Sequence, residues 1–594
     1  MRFTNVCGML GNPNFYGDPY QEHTAEKIEQ LKTMNINTVF VNIAWSRPWI
    51  DAVNLENVAV SASFPLLSDM EEVERHRRSL AARVDAVKAA GLQAFALFGI
   101  PRYFDFANYP ESYGVLKGST LSTISPGDSV ACVRSPEVRR LYRELFADLL
   151  AHMPELDGMQ VYTYDELAEV CDEDSDCPRC RGIPADERIP AFLNGLHEDL
   201  QALKPGFELW WEPWELSAAQ TYRITERLDP AIGLALHSTL HEVYFVNETD
   251  QWFRNLAAIA SDQGRKVVGE IFAGGSGEDL GNIAGYPSPR LVYQQIQALA
   301  RVPGVTGMKE YFGFPLEYAS VNEETMRLVA RDPYRPWDGV EDALAEAYAA
   351  DEEGRRIRRF WEYAARAVEF IPWELSWVLR FGNLPPYAEY WGARFVDLFK
   401  TPWSTPSWLS NRRSFYLVVD GETNFTKRMQ LDLIERLRMA ADWLDRAAAE
   451  AGGTRVREAK RAGFGLQREA VAMLGHMVKC RLHHLELSYL ADRLRAGQEE
   501  PEAGTVVRRI ASLLEAELDN AVGWMQLLQR SDVPYTFRGG DGSALKHETI
   551  AATIGRIEEA KGGVGAEGSC GLARALFLTD YLLTAGKRLF TLTE

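Results

Sequence analysis

The stretch Gly158-Met159-Gln160-Val161-Tyr162-Thr163-Tyr164-Asp165-Glu166 decides the fold. It is apolar or aromatic over most of its length, which suits a strand buried on both faces of a parallel sheet, and it ends abruptly in two acids. An amphipathic segment opening at Ser135-Pro136 precedes it, and another running through Phe192-Leu193-Asn194 to Lys204-Pro205-Gly206 follows it. Strand, acidic loop and helix in that order form one turn of a β/α cycle. Working outward, the same cycle recurs with strand candidates at Thr4 to Leu10, Thr38 to Trp45, Gln93 to Ile100, Phe207 to Trp211, Gly233 to His237, Lys266 to Ile271 and Val305 to Tyr311. With the first stretch these make eight, the number that closes a parallel barrel.

The punctuation agrees. Ser135-Pro136 and Ser288-Pro289 offer an N-cap followed by proline in the first helical turn. Gly91, Gly206, Gly264 and Gly304 stand just before strands, where a helix end calls for positive φ. A doubly wound open sheet would carry a glycine-rich phosphate fingerprint after its first strand, and Cys7-Gly8-Met9-Leu10-Gly11 does not make one. From about Asn322 onward strand-like alternation gives way to long helical patterns, including Glu341 to Phe370, Lys427 to Gly452, Lys460 to Gly497 and Thr505 to Gln529. The expected architecture is therefore a (β/α)₈ TIM barrel over residues 1–320 followed by a mainly α-helical C-terminal domain over 321–594, which either closes the site or makes a homodimer.

Composition excludes several function classes. The chain has 594 residues, of which 46% are apolar and 25% charged, so it is neither disordered nor a coiled-coil rod. A formal charge of −20 repels nucleic acid and anionic lipid. No apolar run approaches the ~18 residues that span a bilayer, and the N-terminal apolar stretch is too short for a secretory signal. Seven scattered cysteines suit reduced thiols better than a disulfide framework. These features predict a soluble cytoplasmic protein with no nucleic-acid or membrane partner.

In such a barrel the active site lies at the C-terminal ends of the strands, and carboxylates gather there. The fourth strand ends at Asp165-Glu166, the fifth at Trp211-Glu212, the seventh reaches Glu270 and the eighth Lys309-Glu310-Tyr311. Hydrolysis of a glycosidic bond needs one protonated carboxyl at the leaving oxygen and one carboxylate as nucleophile or base. Glu166 and Glu270 supply that pair from different sides of the mouth, so a sugar could sit between them. Rings at or just beyond strand ends, Trp45, Tyr103, Tyr164, Trp211 and Tyr311 among them, offer flat apolar faces for sugars, within a chain that holds 15 Trp and 23 Tyr. Arg102 and Lys309, with Arg47, lie near the ends of strands three, eight and two, as substrate-binding candidates or as counter-charges to the acidic rim. His237, at the end of the sixth strand, is a candidate substrate ligand; His241 lies about 13 Å further along an extended strand, too far to share an ion.

The placement of Glu166 and Glu270 on strands four and seven resembles the superfamily of retaining glycosidases that hold acid and nucleophile at those two strand ends. The run Ser135-Pro136-Glu137-Val138-Arg139, Leu156-Asp157-Gly158-Met159-Gln160, Asp165-Glu166, the cysteine loop, Phe192-Leu193-Asn194 and Lys204-Pro205-Gly206 resembles hexosaminidase-like and α-glucuronidase-like glycoside hydrolases. The hexosaminidase likeness implies Glu166 as acid and Asp165 as the residue that orients a substrate acetamido group. Tyr162-Thr163-Tyr164 stands where that family's His-x-Gly-Gly type lead-in is usual, which weighs against acetamido recognition; Glu166 as acid holds in either version, and Asp165 stays the substrate-assisted alternative to Glu270. The α-glucuronidases, which also carry a helical C-terminal region, imply inversion with Glu270 or Glu310 as base.

These readings predict a glycoside hydrolase for short oligosaccharides or glycosides that requires no cofactor. Two alternatives stay open. Glu212, His237, Glu270 and Glu310 on consecutive strands also suit a metal-dependent sugar isomerase or epimerase, and a catalytically inactive barrel would bind carbohydrate only. In the loop after Glu166, Cys177-Pro178-Arg179-Cys180 has the gap of a zinc knuckle, with Cys171 as a third thiolate for a structural zinc.

Overall fold

The computed structural model describes residues 3–10, 23–42, 54–119, 129–164, 168–171, 175–214, 216–238, 249–273, 283, 285–311, 313–314, 316, 320–371, 424–495 and 503–531. Eight parallel strands close into a barrel: β1 (Asn5–Met9), β2 (Thr38–Phe40), β3 (Gln93–Gly99), β6 (Gly158–Tyr162), β7 (Glu208–Glu212), β8 (Gly233–Leu236), β9 (Val267–Ile271) and β10 (Gly307–Glu310). All eight fall on the strand candidates, because Val/Ile/Phe-rich runs bounded by glycine leave little latitude. Two short strands, β4 (Tyr103–Phe104) and β5 (Ser129–Val130), pair antiparallel in the excursion after β3 and had no strand signal in the sequence.

Helices α1 (Ala25–Thr33), α2 (Met70–Ala89), α3 (Pro136–His152), α4 (Ala185–Leu203), α5 (Ala218–Arg227), α6 (Gln251–Asp262), α7 (Pro289–Ala300) and α8 (Val321–Val329) follow the eight barrel strands in turn. The strand–helix count thus runs through α8. Gly91, Gly206, Gly264 and Gly304 all have positive φ, between 67° and 88°, where an L side chain would strain the backbone. Proline opens α3 and α7 as expected, but the preceding serines do not cap: Ser135 spends its hydroxyl on the carbonyl of Val115 at 2.7 Å.

Side chains alternate across the strands, and this fixes what reaches the barrel interior. Inward-facing Cys7, Met9, Phe40, Phe95, Tyr162 and Trp210 form an inner core, with Phe95 and Trp210 ring centroids 4.6 Å apart and Phe40 edge-on to Phe95 at 5.9 Å. Outward-facing residues such as Val6, Met159, Val161, Leu209 and Leu234 pack under the helices in a second, much larger core.

That outer core continues into the C-terminal helices α9 (Trp337–Tyr348), α10 (Asp351–Phe370), α11 (Asn424–Ala451), α12 (Arg461–Arg495) and α13 (Ala503–Arg530). Successive helices α10 to α13 pack on one another, and α10 also lies against α7. Polar groups fix the docking. Tyr286 donates to the carbonyl of Ala364 at 2.8 Å, and Trp361 donates to Gln467, which donates in turn to the Tyr348 hydroxyl, each at 2.9 Å. Among the described residues no helix is long and apolar enough to cross a membrane.

Candidate active site

Four ionisable side chains from strands β7 to β10 meet at the C-terminal end of the barrel interior. Glu212 and Glu270 point inward from β7 and β9, His237 follows β8, and Lys309 lies on β10 in register with both Cys7 and Glu270. All are buried, Glu270 and Lys309 completely. Lys309 Nζ donates to Glu270 Oε1 at 2.6 Å. The His237 ring bridges the acids, with Nε2 2.8 Å from Glu212 Oε1 and Nδ1 3.4 Å from Glu270 Oε2. Gln160, inward-facing on β6, donates its amide to Glu212 Oε2 at 2.5 Å and reaches Glu270 Oε1 at 3.5 Å.

Rings enclose this cluster. Trp214 lies against His237 with centroids 4.0 Å apart, Tyr311 meets it edge-on at 5.2 Å, and the Lys309 ammonium sits 5.1 Å over Phe40 and 5.6 Å over Tyr311. Apolar walls strengthen the charge interactions inside them. Burial pushes the Glu212 carboxyl above the usual carboxylate range, partly offset by Lys309 and the Gln160 amide. Burial works against the Lys309 ammonium, but Glu270 and Glu212 outweigh it and hold its pKa above that of an ordinary lysine. The Cys7 thiol, beside Lys309, is pushed up to about 12 by burial and stays neutral. The Glu270 side chain is held at both oxygens: one accepts from the Lys309 ammonium, and the other faces the His237 imidazole.

The remaining sequence candidates occupy different places. Trp211 and Glu310 face outward, away from the interior: Trp211 donates to the Thr163 hydroxyl at 3.2 Å under the helix layer, and Glu310 accepts the backbone N–H of Ala273. Tyr164 is half-buried against the outer core. Arg102 pairs with buried Glu56 at 3.6 Å, and the Tyr103 hydroxyl donates to Glu169. Glu166, Asp165 and Trp45, with Arg47 and His241, lie outside the described residues. Cys171, Cys177 and Cys180 converge with a fourth cysteine, Cys132, from the segment following β5.

Gln160 and Cys132 carry no motif. Strand alternation from Tyr162 would have turned Gln160 inward, and its amide is the only polar group on that face of β6 below Tyr162. Cys132 becomes a neighbour of the cysteine loop only because β3 and β6 are adjacent in the barrel.

No protein-family model and no curated protein matches this chain. Solved structures do. A GH138 enzyme that targets the pectin rhamnogalacturonan II superposes with a TM-score of 0.57 at 10% identity, covering 95% of this chain and 68% of that one. In fold, the chain resembles the barrel glycoside hydrolases. Weaker matches are a mutant Thermobaculum terrenum O-GlcNAc hydrolase (TM-score 0.43, 12% identity, 93% of this chain and 94% of that one) and a Clostridium perfringens family 89 glycoside hydrolase in complex with PUGNAc (0.47, 8%, 98% and 66%).

Proposed function

We propose that the chain is a glycoside hydrolase acting on short oligosaccharides or glycosides at the mouth of its barrel. The observation that carries this reading is Glu270: a buried carboxylate at the C-terminal end of the seventh barrel strand, fixed by Lys309 and faced by His237. In this scheme Glu166, four residues beyond the end of β6, gives its proton to the leaving oxygen. Glu270 then either attacks the anomeric carbon or takes the proton of the attacking water. Gln160, Glu212 and His237 act as positioning residues that hold Glu270 in one orientation, and Tyr311 and Trp214 offer apolar faces to the sugar. The barrel-hydrolase fold supports the reading without specifying the sugar.

A panel of aryl glycosides followed by proton NMR of the product anomers tests it. Turnover of at least one glycoside is expected, with the first-formed anomer reporting retention or inversion. Sugar binding with no cleavage across the panel would contradict hydrolysis and favour a binding barrel.

One observation favours a second reading, a metal-dependent sugar isomerase or epimerase. Donor atoms of Glu212, His237 and Glu270 lie within 4.8 Å of one another, close enough to share a divalent ion. An ion there would compete with the His237–Glu212 contact at 2.8 Å and with the Lys309 ammonium that pairs with Glu270. Under this reading chelation removes a metal equivalent together with sugar isomerisation, and glycosides are not cleaved.

A further inference from the structure

A second cluster lies outside the candidate active site, where the segment following β5 meets the loop that runs on from Glu166. The sulfurs of Cys132, Cys171, Cys177 and Cys180 all lie within 4.8 Å of one another, and each cysteine is buried. Cys132 Sγ is 3.5 Å from Cys180 Sγ and 3.7 Å from Cys177 Sγ. Four thiolates at about 2.3 Å from a tetrahedral zinc stand about 3.8 Å apart along each edge. Disulfides would join these sulfurs only in pairs and would leave the fourfold convergence without a cause. Apolar packing alone would not require four sulfurs at one point.

The surroundings suit thiolates. The backbone N–H of Ser119 is aimed at Cys171 Sγ at 3.3 Å. Cys177 to Cys180 form a tight turn in which the N–H groups of Cys180 and Arg181 both donate to the Cys177 carbonyl, at 3.1 and 2.9 Å, which brings both sulfurs to one side. The guanidinium of Arg188 is buried alongside and donates to the carbonyls of Cys171 and Ile183, placing a positive charge next to a centre that would carry a net negative one. Gly118 makes the approach possible. A Cβ there would stand 2.4 Å from Cys171 Sγ and 2.9 Å from the Val130 carbonyl.

We propose that Cys132, Cys171, Cys177 and Cys180 form a structural tetrathiolate zinc site that staples the excursion after β3 to the loop after β6. All four positions are protein ligands, so the ion has no open coordination site and takes no part in the chemistry. Its role is to hold the loop bearing Glu169, whose carboxylate receives the Tyr103 hydroxyl, against the excursion after β3. The proposal is independent of the glycosidase reading.

The test is the metal content of the full-length chain, purified under reducing conditions without chelator. One zinc per chain is expected in the wild type and in Cys480→Ser, a buried cysteine outside the cluster, and its loss is expected in Cys132→Ser and in Cys177→Ser. To separate a lost ligand from a misfolded variant, the wild type is also loaded with cobalt(II), which should give thiolate-to-metal charge-transfer bands and tetrahedral d–d bands. Full zinc retained by both serine variants, cobalt bound without thiolate bands, or a wild type that binds neither ion would each overturn the proposal. One equivalent of iron in place of zinc would overturn the choice of metal.

Discussion

Replacing Lys309 by Met keeps the volume of the side chain and removes an ammonium buried among Glu270, Glu212 and Cys7. At 2.6 Å and an effective dielectric constant of about 20, the attraction lost is about 6 kcal/mol. Part of this is returned because the ammonium no longer has to be buried, and removal of one partner from a buried pair typically leaves about 3–5 kcal/mol of destabilisation. The loss should depend on pH. Lys309 lowers the pKa of Glu212, so its removal raises that pKa further above the unfolded value. A group whose folded pKa is raised gives its full stability below the unfolded pKa and loses it as pH rises, at up to about 1.4 kcal/mol per unit. Lys309→Met should therefore be destabilised throughout, with a deficit that grows as pH rises from about 4.5 to about 8. Thermal unfolding of the intact chain across this range, followed by circular dichroism, measures the effect. The double variant Lys309→Met/Glu270→Gln, which removes both charges of the pair, should recover much of the loss. A pH-independent deficit, or a double variant no more stable than the single one, would mean that Lys309 does not offset the burial of Glu212 and Glu270.

Two further outcomes follow from the same packing. Glu212→Gln keeps an acceptor for the Gln160 amide and abolishes the titration; since burial raises the Glu212 pKa, its stability relative to wild type should improve as pH rises from about 5 to about 8, which a differential scanning series reads directly. Gln467→Leu leaves the buried Trp361 N–H without its acceptor and should cost about 1–3 kcal/mol, seen as a lower unfolding midpoint; an unchanged midpoint would mean that this polar chain does not fix helices α9, α10 and α12.

The barrel was legible because it is written locally. Eight apolar runs, four glycines ahead of strands and two Ser-Pro helix starts each constrain a few adjacent residues, and the parallel order follows from the cycle length. The inner and outer faces were harder to read. Trp210, Trp211 and Glu212 are consecutive on a strand buried on both sides, so hydrophobicity does not say which ring turns inward; alternation from Glu212 puts Trp210 in the barrel and Trp211 under the helices. The same parity separates Lys309 from Glu310. Contacts across the barrel were not legible. The Gln160 bridge to two acids and the meeting of Cys132 with the cysteine loop depend on which strands become neighbours, not on any local spacing. The antiparallel pair β4 and β5 is held by two residue pairs, too short to leave a periodic signal.

The proposed role of Glu270 as the reacting carboxylate is decided by the turnover of the best aryl glycoside by Glu270→Gln, with the folded fraction of variant and wild type matched by circular dichroism. Turnover should fall by at least roughly 10²–10⁴-fold, the contribution of a positioned proton-transfer group. Turnover equal to that of the wild type would contradict it.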